Sequence, residues 1–171
     1  MKSTDKFLTG IVIAVILLVG AAFAVALLRP KPVYRSEDAP EGVAHNYLLA
    51  LQQRDYDRAY GYLSPTIESY PASAQAFATD IQNNSWNFRL DDTSTTLEVD
   101  SARITGDQAT VTVRETRFNQ GGLFESSQYT NTFEMRLRRG EGAWRITGSG
   151  SYWALCWDDP HGCSTVKQRS P

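Results

Sequence analysis

Positions 7–28 hold no charged side chain, and the apolar run they form is the only one of its kind in the chain. It lacks the polar stripe that a helix on the surface of a globular domain turns toward water. At about 1.5 Å of rise per residue, a helix of this length spans roughly 33 Å, enough for a hydrocarbon core of about 30 Å with a modest tilt. The pattern predicts an N-terminal transmembrane helix, with residues 1–29 as anchor and short tail and residues 30–39 as a polar, proline-biased linker.

From Pro40 the apolar positions recur at helical spacing. Val43, Ala44, Tyr47, Leu48 and Leu51 make one stripe, and Gln52-Gln53-Arg54-Asp55 breaks it. Tyr56, Ala59, Tyr60 and Leu63 make a shorter second stripe. It stops at Ser64-Pro65, because the residue before a proline disfavours α geometry. Residues 73–83, with Ala76, Phe77 and Ile81, predict a third helix. Beyond residue 85 the period drops to two: Leu97 and Val99; Ala109, Val111 and Val113; Phe133, Met135 and Leu137; Trp144 and Ile146. Turn-forming residues separate these runs at Gly106-Asp107, Asn119-Gln120-Gly121-Gly122 and Arg139-Gly140-Glu141-Gly142. Helices followed by a meander of antiparallel strands predict an α+β domain whose helices cover one face of the sheet.

The flanking charges do not orient the anchor, since Lys2 and Lys6 before it are matched by Arg29, Lys31 and Arg35 after it. A cleavable signal peptide is the competing reading, given Ala22-Phe23-Ala24 and Ala24-Val25-Ala26. The apolar region of such a peptide covers only about 7 to 15 residues, so the uncleaved anchor is preferred, and either reading exports the domain. The cysteines agree. Cys156 and Cys163 flank Trp157-Asp158-Asp159-Pro160-His161-Gly162, a turn sequence that returns the chain on itself. A disulfide closing that loop contributes about 2.5 kcal/mol on a chain-entropy model and persists outside the reducing cytosol. Free thiols are one alternative. A metal site on Cys156, His161 and Cys163 is another, but only Asp158 or Asp159 is near enough in sequence to complete it.

About 140 residues follow the anchor, enough for one core, and the net charge is −2 with Lys and Arg scattered singly among acids. No basic patch marks a nucleic-acid partner.

The helical stretch Ala44-His45-Asn46-Tyr47-Leu48-Leu49-Ala50-Leu51-Gln52-Gln53-Arg54-Asp55-Tyr56-Asp57-Arg58-Ala59-Tyr60-Gly61-Tyr62-Leu63-Ser64-Pro65, with the closing Trp144-Arg145-Ile146 after a glycine-rich turn, resembles the nuclear transport factor 2-like superfamily. The resemblance implies a cone of three helices wrapped by a curved antiparallel sheet over residues 40–150. An aromatic extension, residues 151–171, then carries the disulfide loop. The nearest likeness is to membrane-anchored or secreted bacterial domains of unknown function, so the resemblance implies a fold more than an activity.

Enzymes of that superfamily place an acid, or an acid and a histidine, inside the cone. Here His45 lies off the central stripe and His161 in the cysteine loop, while the acids fall in turns (Asp91-Asp92, Asp107, Glu141) or on the polar strand face (Glu134). No phosphate-binding loop, nucleophile elbow or metal-ligand spacing occurs. No catalytic residue, metal ligand or cofactor is assigned. Asp55 is placed to cap the second helix. Tyr47, Tyr56, Tyr60 and Trp144 are expected in the core or lining a pocket. Thr110, Thr112 and Arg114 should align across strands with Thr132, Glu134, Arg136 and Arg138 as a solvated face with charge pairs or as a partner surface. Trp153 and Trp157 either pack onto the domain or serve recognition. The candidate interaction surface is therefore Arg114, Glu134, Arg136, Trp153 and Trp157. The expected partners are the membrane through residues 7–28 and a second copy or an envelope protein. Two functions fit: a non-catalytic accessory domain for assembly at the envelope, or a cone that binds a small molecule.

Overall fold

The computed structural model describes residues 3–27, 32–90, 94–121 and 125–163. The chain divides into two units, residues 1–33 and 34–171. In the first, helix α1 (Ser3–Leu27) covers the expected anchor except Leu28, which lies outside the described residues. Its described side chains, positions 8–24, are all exposed and carry no charge. Among the described residues no helix is long and apolar enough to cross a membrane.

The second unit opens with a segment docked onto helix α2 (Pro40–Gln52). Asn46 is fully buried on that helix; its side chain accepts from the Arg35 N–H at 2.7 Å and donates to the Arg35 carbonyl at 2.9 Å. The crossing is close enough that a Cβ on Gly42 would collide with the Ser36 carbonyl oxygen, so glycine is required there. Helix α2 is buried around most of its circumference, which is why its apolar stripe is broad. Helix α3 (Tyr56–Gly61) starts at Asp55, whose carboxylate accepts from the Arg58 N–H at 3.2 Å, as the sequence predicts. Helix α4 (Ala74–Asn83) is capped by the Ser73 hydroxyl. A short helix α5 (Ser85–Phe88) follows, which the sequence reading missed because one turn is too brief to show a period.

Four strands then form an antiparallel meander in the order β1-β2-β3-β4: β1 (Thr95–Thr105), β2 (Gln108–Gly121), β3 (Glu125–Gly140) and β4 (Ala143–Ser149). The β1–β2 turn uses Gly106 and the β3–β4 turn uses Glu141 and Gly142, all at positive φ. Val111, Val113, Phe133, Met135, Leu137, Trp144 and Ile146 project inward against Leu48, Leu51, Leu63 and Phe77 to form one core. The far edge of β4 is covered, because Leu63 bridges Ile146 in parallel. Tyr60, expected inside, is half-buried at the border of this core.

Residue 150 is not a structural boundary. Tyr152, Trp153, Ala154, Cys156 and Trp157 belong to the same core, and a 3₁₀ turn over Leu155–Asp158 carries Cys156 and Trp157 into it. Trp153 and Trp157 are 2 % and 0 % exposed, so of the two expected roles it is packing that the structure shows, and they leave the candidate interaction surface.

Candidate functional site

Helices α4 and α5 and the segment after β4 converge on Trp157. Its ring stacks on Phe77 with centroids 5.3 Å apart and an interplanar angle of 21°, and meets Phe88 edge-on at 6.0 Å. Trp153 stands perpendicular to it at 4.8 Å. Both indoles are satisfied at their polar ends: Trp157 donates to the Asp80 carboxylate at 2.9 Å and Trp153 to that of Asp158 at 3.1 Å. Burial pushes the Asp80 carboxyl above its ordinary range, and the Trp157 hydrogen bond offsets part of that shift. Cys156 and Cys163 are bonded to each other, with Cα atoms 4.8 Å apart, so this segment is clamped and neither thiol can serve as a metal ligand. Among the described residues there is no cluster of three metal-ligating side chains.

A second constellation lies where β2 and β3 run on beyond the helices. Glu115 follows Val111 and Val113 on the inward face of β2 and is 3 % exposed. One of its carboxylate oxygens accepts from Arg117 Nη2 at 2.7 Å and Nε at 3.2 Å, and from the Tyr152 hydroxyl at 2.9 Å. Tyr152 packs its ring on Phe133 at 5.7 Å, and its carbonyl accepts from the buried Tyr47 hydroxyl at 2.8 Å. Burial raises the Tyr47 phenol far above its ordinary value, so it stays protonated and keeps the hydrogen it donates to Tyr152. An open groove of about 840 Å³ borders this network, with Asn87, Arg89, Asn131 and Glu134 on its walls. Sequence reasoning placed no carboxylate in the interior, and Glu115 corrects that. The alternation of β2 contains the signal, since position 115 shares the parity of Val111 and Val113.

Of the other residues predicted from sequence, Tyr47 and Trp144 are core. Tyr56 meets Phe77 edge-on at 6.5 Å and lines a cavity of about 150 Å³ with Arg54, Ile81 and Phe88. Tyr60 stacks on Tyr70 at 5.2 Å and donates to the Pro71 carbonyl at 2.9 Å. The polar strand face aligns as expected: Thr110 sits opposite Arg136, Thr112 opposite Glu134, and Arg114 opposite Thr132. Arg114 pairs with Asp100 on β1, while Glu134 and Arg136 are exposed. His45 is half-buried on α2, and His161 is exposed in the cysteine loop. A further groove of about 660 Å³ contains Arg138, Arg139 and Arg145, but Arg138 pairs with Asp107 at 3.1 Å and Arg145 donates to the Gly61 carbonyl. Among the described residues every buried polar side-chain atom has a partner.

No family model and no curated protein matches the chain. Among solved structures, it is similar to an NTF2-like protein with a cystatin-like fold from Novosphingobium aromaticivorans, at 16% identity and a TM-score of 0.45, over 82% of this chain and 96% of that one. It is also similar to an NTF-2 like protein of unknown function from Shewanella oneidensis, at 10% identity and a TM-score of 0.42, over 63% and 90% of the two chains. A SEC-C motif containing protein from Rhodopseudomonas palustris matches at 16% identity and a TM-score of 0.46, over 68% and 81%. At such scores no activity follows from the likeness.

Proposed function

We propose that the chain is a membrane-anchored accessory domain, held outside the cytoplasm, which works through its surface in assembly at the cell envelope and catalyses no reaction. The observation that carries this reading is the filling of the cone: Trp153 and Trp157 from the chain's own C-terminal segment occupy the space between α4, α5 and the sheet. A chamber closed by two indoles whose N–H groups are both bonded offers a ligand no free indole donor, and the cavity beside it holds only about 150 Å³. The membrane part rests on the apolar, uncharged run in α1, and the extracytoplasmic part on the Cys156–Cys163 bond, which an oxidising compartment preserves. The polar outer face of the sheet, with Arg114, Glu134 and Arg136, is left as the working surface.

The alternative, binding of a small molecule, has one observation in its favour, the groove bordering Glu115 and Arg117. A reporter fused after Pro171 tests the location directly. Activity of a reporter that works only outside the cytosol, together with membrane fractionation that resists carbonate extraction, is the expected outcome; activity of a cytosol-only reporter overturns the reading.

A further inference from the structure

The edges of the sheet are treated unequally. The edge of β4 is bridged by Leu63. The edge strand β1 carries Glu98, Asp100 and Arg103 and an irregularity between Val99 and Ser101, the usual guards against strand addition. β3 is different above Phe133. β4 pairs with it only from Met135 to Gly140, and the chain departs at Gly150, whose N–H donates to the Glu134 carbonyl at 2.9 Å. That bond fixes the parity of the strand. Backbone groups of alternate residues point to opposite sides, so the N–H and C=O of Gln128, Thr130 and Thr132 turn away from β2. Among the described residues no backbone hydrogen bond meets them on that side. Residues 126–133 contain no charge and no proline, and those whose side-chain burial is described are exposed up to Thr132. The open groove of about 840 Å³ runs beside this edge, walled by Asn131, Thr132 and Glu134.

We propose that this edge docks a second copy of the chain, two β3 strands pairing antiparallel about a two-fold axis at Thr130 so that the two four-stranded sheets become continuous. The inference deepens the assembly reading above, on which it rests, by naming its partner and its surface. The register follows from the residues. With Thr130 opposite its symmetry mate, Gln128 faces Thr132 and Tyr129 faces Asn131, so no like charges meet and a favourable threonine pair sits at the centre. An axis at Thr130 pairs the three open residues with one another, whereas an axis at Tyr129 leaves Thr132, and one at Asn131 leaves Gln128, without a partner among them. Centring on Thr132 would bring in the Glu134 carbonyl, which Gly150 occupies. An extended backbone is the chemistry that satisfies alternating donors and acceptors, and this strand offers the same pattern to itself.

The test uses the full chain in lipid nanodiscs or mild detergent. Directly opposed residues in an antiparallel pair have Cα atoms about 5.5 Å apart, within disulfide range. Thr130→Cys chains should therefore cross-link to dimers under mild oxidation. A mixture of Gln128→Cys and Thr132→Cys chains should cross-link, while either alone should not. Equal cross-linking at all three positions, or a monomer at every concentration by sedimentation, overturns the proposal. Thr130→Pro removes an N–H on the open side and leaves the β2 ladder intact; it should weaken the dimer at least tenfold with an unchanged circular dichroism spectrum. Thr130→Lys, which opposes like charges without touching the backbone, should do the same if the proline variant misfolds. A dimer that survives both overturns the proposal. A monomer still anchored in the membrane with its domain outside rejects this partner alone, whereas a chain free of the membrane rejects the assembly reading whatever its oligomeric state.

Discussion

The indole of Trp157 lies nearly parallel to the ring of Phe77, 5.3 Å away, although 80 positions of sequence separate the two residues. That contact ties the end of the domain to helix α4 and closes the space between helices and sheet. Replacing Trp157 by Ala should cost about 3 to 5 kcal/mol in urea unfolding, because it removes a large side chain with almost no exposure and leaves a cavity. A loss under about 1 kcal/mol would mean that the segment is merely laid on the surface.

Glu115 and Tyr152 should prove energetically coupled. Glu115→Ala strips both Arg117 and the Tyr152 hydroxyl of their acceptor and is expected to cost about 3 kcal/mol, the low end for breaking a buried pair, because the Arg117 side chain is a quarter exposed. Tyr152→Phe removes one hydrogen bond to a charged group and should cost about 1.5 to 2 kcal/mol. A double-mutant cycle checks the pair: the two effects should fall short of additivity, and simple addition would show that the hydroxyl does not rely on this carboxylate.

The Asp80 carboxyl gives a pH signature. Its folded value is raised above the ordinary 3.8 by burial, so the folded state binds the proton more tightly than the unfolded state. The stability this contributes is fully present below pH 3.8 and is lost as pH rises through the folded value. Asp80→Asn keeps an acceptor for the Trp157 indole but cannot titrate. The difference in Tm between wild type and variant should therefore change above pH 3.8 in the direction that favours the variant, and a constant difference from pH 3 to 7 would contradict the assignment.

Reduction should act locally. The Cys156–Cys163 loop is short, so opening it should cost no more than about 2.5 kcal/mol. Amide exchange in non-reduced and reduced protein should differ most over residues 152–163 and little in β2 and β3. Mass spectrometry of the non-reduced chain should find no alkylatable thiol.

Much of the fold is legible in the sequence because its periods are strong. Tyr47, Leu48 and Leu51 mark α2, and the alternation through Val111 and Val113 marks β2, including which face is inward. The same alternation reaches Glu115, but polarity hides a residue whose partners, Arg117 and Tyr152, are set by the third dimension. The tryptophans posed the converse difficulty. Their side chains fit equally well in a core or at an interface, and only the return of the chain after Gly150 into the space above Phe77 decides between them. Asn46 was silent for a related reason: it bonds to the backbone of Arg35, and backbone partners leave no trace in side-chain patterns. The open edge of β3 is equally invisible, since it depends on where β4 stops.

The filled cone is tested most directly by exchange of the tryptophan indole protons, followed by NMR on the full chain in micelles. Trp86, 61% exposed, is the internal reference. The account predicts that the indole N–H of Trp157, bonded to Asp80 and buried against Phe77 and Phe88, exchanges at least a hundredfold more slowly than that of Trp86, with Trp153 also protected. Exchange of Trp157 as fast as Trp86 would mean that the cone stands open, and the surface-assembly reading would give way to ligand binding inside it.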